Sequence, residues 1–171
     1  ADISKIQSKA KTKATTLYAN IALDRADDLE ASAKAEMLKE LVEYCHEHKD
    51  LYNEIRATLS YADSIMTVRG SLDAKEISTL ISIYHHLHHD NLTPLHSKCH
   101  RILWAAFEVN NDHINLLQLF KYSSLYWRLR DEQKPELEAV NKFKTLSFPG
   151  SIPERDPAVS YYYGRLATIE A

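Results

Sequence analysis

Apolar residues recur at every third or fourth position along nearly the whole chain, and the breaks between these runs are polar. That period predicts about seven or eight helices. From Ile3 to Ala26 the stripe is sparse (Ile3, Ile6, Ala10, Leu17, Ile21) and covers only a narrow seam, so this segment reads as a peripheral N-terminal helix or arm, residues 1–26. After the acidic break at Asp27, Asp28 and Glu30, the positions Met37, Leu38, Leu41, Tyr44, Cys45 and His48 mark an amphipathic helix. Asp50 stands where a third helix needs an N-cap. Its inward positions are Leu51, Ile55, Leu59, Ala62 and Ile65 or Met66, and Gly70 supplies a left-handed end. Asp73 with Glu76 forms a capping box ahead of Ile77, Leu80, Ile81, Tyr84 and Leu87, a fourth helix expected to run to about His89.

Thr93 and Pro94 open a fifth helix through Ile102, Leu103, Ala106 and Phe107, which Asn110, Asn111 and Asp112 end. The sixth, Ile114 to about Arg130, carries Leu116, Leu117, Leu119, Phe120, Leu125, Trp127 and Leu129 around most of its circumference, the pattern of a central helix, with Trp127 expected in the core. Pro135 and Glu136 start a seventh, with Leu137, Val140 and Phe143 inward. Pro149, Gly150 and Pro153 make residues 147–157 a surface loop, after which a short C-terminal helix is expected through Val159, Tyr163 and Leu166.

Composition narrows the fold class. With 3 glycines in 171 residues the chain has little material for hairpins and bulges, which need residues tolerant of positive φ. The expectation is an all-α, single-domain bundle, residues 1–171, arranged as antiparallel hairpins. A net charge of −3 gives no general attraction for polyanions, so nucleic acid is not the expected partner. No apolar run approaches a membrane span, and the first residues are lysines and threonines instead of an apolar signal core, which together point to a cytoplasmic protein. Cys45 and Cys99 lie too far apart in sequence for a CxxC site and read as small, unbonded core residues.

Six of the 9 histidines fall between His85 and His100. His85 and His89 are spaced i, i+4 on the fourth helix, and His96 and His100 are spaced likewise on the fifth. If these helices form an antiparallel hairpin, both pairs fall on flanks of the same rotational sign and border one groove. Four imidazoles there would suit a divalent transition metal such as Zn²⁺, Cu²⁺ or Ni²⁺. The plainer alternative is a set of hydrated or partly buried side chains, with His88 against the apolar stripe and His86 in solvent. A Cys99 nucleophile served by a flanking histidine has poor geometry on a single helix.

Two further constellations suit partners. Lys5, Lys9 and Lys13 form a basic stripe at i, i+4, i+8, in an orientation that opposes the helix dipole. Either the regular helix begins later, near Thr15 or Thr16, or an anionic group orders the arm. Tyr161, Tyr162 and Tyr163 cannot all face one core, so Tyr161 and Tyr162 are candidate partner contacts. P-loop, GxGxxG, HExxH and nucleophile-elbow patterns are absent. No catalytic residue is assigned. The reading is therefore a non-enzymatic helical interaction module that binds a protein partner or itself. The alternatives are a metal- or cofactor-binding bundle built on the histidine groove, and a nucleic-acid-associated protein using the lysine arm.

Overall fold

The computed structural model describes residues 3–144, and side-chain surroundings for residues 14–141 apart from Gln133 and Val140. Among the described residues there are seven helices and no strand: α1 (Ile3–Asp27), α2 (Ala31–Glu47), α3 (Leu51–Arg69), α4 (Ala74–Leu87), α5 (Thr93–Val109), α6 (His113–Leu129) and α7 (Gln133–Lys144). The loop expected at 147–157, the C-terminal helix, and Tyr161 and Tyr162 lie outside the described residues. The chain divides within α5 into two compact units, 1–102 and 103–171.

The helix ends follow local chemistry. Asp50 caps α3 by accepting the Asn53 backbone N–H at 3.2 Å, and Gly70 closes α3 at φ 75°. Asp73 and Glu76 make the reciprocal capping box of α4. Three turns solve the glycine shortage by a common device. Lys49, Asn111 and Asp131 take φ values of 54°, 52° and 56°, the left-handed conformation usually given to glycine. In each case the next residue's N–H reaches back five residues, to the carbonyls of Cys45, Phe107 and Trp127 at 2.9–3.0 Å, a Schellman closure. At two of these turns the same next residue also caps the following helix. Asp112 accepts from the Asn115 backbone as Asp50 does from Asn53, and each asparagine side-chain amide bonds back to its aspartate.

In the first unit the core gathers Ala19, Ala22 and Ala26 of α1, Leu38, Leu41 and Cys45 of α2, and Ala57 of α3. The segment read as a peripheral arm thus enters the core from Thr15 onward. Its buried face is Thr15, Ala19, Ala22 and Ala26, whereas Leu17 and Ile21 of the sequence stripe are exposed. Small side chains let α1 approach its neighbours closely, and polar contacts flank the seam: the Asn53 amide donates to Thr16 Oγ1, and Arg56 donates to Asn20 Oδ1. Of the two options for the basic first turn, the late start near Thr15 or Thr16 is not taken, because α1 is helical from Ile3. In α3, Leu51 is exposed, and Ile55, Leu59 and Ala62 are buried as the stripe predicts.

In the second unit the core comprises Leu103, Trp104, Ala106 and Phe107 of α5 and Leu116, Leu117, Leu119, Phe120 and Tyr126 of α6. Trp127 is not the buried tryptophan. It is half-buried, edge-on to Tyr126 with ring centroids 4.9 Å apart, and Trp104, 2% exposed, takes the core position. α6 is apolar on most sides, so its apolar count does not fix which side turns inward. The inward side includes the small residues Ser123 and Ser124, and Leu129 is left outside. In α7 Glu136 is buried, its carboxylate accepting from Ser124 Oγ at 3.0 Å, and Leu137 is exposed, while the side chains of Val140 and Phe143 lie outside the described residues.

Candidate interaction surface

The histidine-rich turn is built around Tyr84, which is buried with Leu80 and Leu87 on the inner face of α4. His96 lies against it with ring centroids 4.7 Å apart, and His100 is 6.2 Å away. Next to them Cys99 donates its thiol hydrogen to the Leu80 carbonyl at 3.4 Å. The four histidines do not share one environment. His96 is fully buried, His100 is half-buried, and His85 and His89 are exposed. His86 faces solvent and His88 is half-buried, its ring edge-on to His89.

Rotation explains the separation. At about 100° per residue, His85 stands about 130° from the axis through Leu80, Tyr84 and Leu87, and His89 falls in the turn beyond α4, which ends at Leu87 and not near His89, while His96 stands within about 50° of the buried axis of α5. Flanks of the same rotational sign are not enough when one member of a pair is turned to the far side of its helix. Among the described residues, no group of three or more histidine, cysteine, aspartate or glutamate side chains is placed to hold a metal ion. Burial pushes the Cys99 thiol up to about 12, and it pushes Cys45 up to about 11, aided by Asp50 and Glu54. Both cysteines are free and buried, a state opposed to thiolate chemistry.

Lys98 and Arg101 tie α5 to α3. Lys98 Nζ donates to Ser60 Oγ at 2.9 Å, and Arg101 spans both carboxylate oxygens of Asp63 at 3.3 and 3.2 Å. Burial lowers the Lys98 pKa, with Arg101 and Lys34 acting in the same sense and Asp63 and Asp27 in the opposite one. The lysine contact is partly buried, and the Arg101–Asp63 pair lies at the exposed edge of the two helices.

The feature that sequence reasoning missed is the outer face of α1. Leu17 is 62% exposed, Ile21 47% and Tyr18 48%, the last with its ring tilted against that of Tyr44, centroids 4.2 Å apart. Leu17 and Ile21 stand opposite the seam of Thr15, Ala19, Ala22 and Ala26 and continue the line of Ile3, Ile6 and Ala10. The signal was present in the four–three–four spacing of those small residues, which marks a packing face as clearly as leucines would. Lys5, Lys9 and Lys13 belong to the first half of α1, and their side-chain surroundings lie outside the described residues. Among the described residues, no helix is long and apolar enough to cross a membrane. Comparison with family models, curated proteins and solved structures finds no match.

Proposed function

We propose that the protein works by binding protein, a partner or itself, through the outer face of α1. The observation that carries this reading is an apolar line, Leu17 and Ile21 with Tyr18 beside it, left in solvent on a helix that has already buried a separate face. Apolar surface arranged along a helix is the form taken by helix-in-groove and helix-pairing contacts. Tyr161 and Tyr162 are a second candidate contact on composition alone. The helices are inferred to pair as antiparallel hairpins, a reading supported by the matched contacts Tyr18–Tyr44 and Asp27–Lys34, and by Tyr84–His96 with Leu80–Cys99. A cytoplasmic setting accords with two cysteines that are kept reduced and buried.

The test compares wild type with a Leu17→Asp/Ile21→Asp variant as baits in a quantitative pull-down from the native host, after circular dichroism shows equal helicity. Proteins retained by wild type and lost by the variant are the expected result. Identical captures from the two baits would refute the assignment of this face.

A further inference from the structure

We propose that the occupant of the outer face of α1 is α1 of a second copy of this chain, packed antiparallel about a twofold axis near Tyr18. This rests on the reading of that face as a binding surface and names its partner. The apolar line is self-complementary in an antiparallel pair, since Leu17 and Ile21 lie one turn apart, just beyond the midpoint of a helix of 25 residues, about 37 Å long. A twofold axis there brings Leu17 and Ile21 of one copy onto those of the other. Ala10 then extends the contact toward each end.

Charge order selects the partner and its direction. The first half of α1 carries Lys5, Lys9, Lys11 and Lys13, with no acidic residue in the first turn. Its far end carries Asp24, Asp27 and, one residue beyond, Asp28, against one cation, Arg25, all exposed. Lys9, Lys13, Asp24 and Asp27 stand on the same flank of the apolar line, and in an antiparallel pair like flanks meet. The lysines of one copy therefore face the aspartates of the other.

The same order runs against the dipole of the isolated helix, with cations at the positive end and anions at the negative end. An antiparallel copy corrects both ends, because each basic end gains the partner's acidic one and the two macrodipoles oppose. A parallel pair would set lysine against lysine. A generic acidic partner would satisfy the first half of α1 and be repelled by the second.

The full-length chain is examined by sedimentation equilibrium from low to high micromolar concentration. The expected result is a monomer–dimer equilibrium that Leu17→Asp/Ile21→Asp weakens by at least roughly tenfold and that added salt weakens as well. Two charge-reversed chains guard against a variant that merely fails to fold: Lys9→Glu/Lys13→Glu, and Asp24→Lys/Asp27→Lys. Each alone is expected to dimerise roughly tenfold less tightly than wild type, and an equimolar mixture to recover association, since every facing pair is then of opposite sign. A wild-type monomer throughout the range overturns the proposal, as does a dimer indifferent to Leu17 and Ile21, or a mixture no tighter than its components. A monomer that still retains some other protein through Leu17 and Ile21 in the pull-down overturns self-pairing alone. Loss of both results overturns the binding reading with it.

Discussion

The placement of α1 makes a prediction in which the smaller side chain matters more than the larger. Ala19 is fully buried between α2 and α3, so Ala19→Leu forces three further carbon atoms into a seam closed at alanine spacing. Overpacking of this kind costs about 1–3 kcal/mol. Leu17 keeps little more than a third of its surface covered. Against about 1.5–3 kcal/mol for a fully buried leucine, Leu17→Ala should cost about 0.6–1.1 kcal/mol at most, and the better helix propensity of alanine offsets a few tenths. The assay is urea denaturation followed by circular dichroism, at a protein concentration low enough to exclude self-association. With a urea dependence of about 2 kcal/mol per molar, Ala19→Leu is expected to lower the midpoint by about 0.5–1.5 M, and Leu17→Ala by less than about 0.5 M. If Leu17→Ala proved the more damaging change and Ala19→Leu were neutral, α1 would be packed with its large residues inward. The interaction surface would then not exist.

The Cys99 thiol, held protonated by burial up to about 12 against an ordinary 9.0, binds its proton more tightly folded than unfolded. The folded state is therefore unaffected by this group below pH 9 and loses stability as pH rises toward 12, so subtracting the pH–stability curve of Cys99→Ala from that of wild type should leave a difference that falls across this window. A flat difference would refute the burial. Lys49→Gly should stabilise by up to about 1 kcal/mol by relieving a left-handed lysine, whereas Asp50→Ala should cost about 0.5–2 kcal/mol through loss of the α3 cap; thermal melts of the two variants should move in opposite directions. Iodide should quench Trp127 and spare Trp104, so Trp127→Phe should leave a fluorescence that iodide barely reduces.

Helix ends were legible wherever one side chain or one backbone conformation decides them. Asp50, Gly70 and the Asp73–Glu76 pair act within a single turn, so the sequence next to each helix end is enough to place it. Interior faces were legible where apolar residues occupy one side only, as with Leu80, Tyr84 and Leu87. They were not legible in α1 or α6. In α1 two apolar faces compete, and the smaller wins because alanines allow closer packing against Leu38, Leu41 and Cys45. In α6 apolar residues surround the helix, and the choice of Tyr126 over Trp127 depends on where Ser124 can meet Glu136, twelve positions away in sequence.

The histidine cluster shows the same limit from the side of chemistry. Spacing at i, i+4 guarantees that two side chains share a face, but not which face a neighbouring helix covers. On α4 the covered face is set by Leu80, Tyr84 and Leu87, which turns His85 outward and leaves His89 in the turn beyond; on α5 it passes through His96 and Cys99, which draws His96 inside against Tyr84. One imidazole pair is thereby split between core and surface, and the other is left in solvent. The two faces that α1 presents follow the reverse logic. Its inner face is consumed by packing, and packing has no further use for Leu17 and Ile21. In this chain the buried alanines point to the proposed binding surface better than the histidines do, because they show which half of α1 the fold has already used.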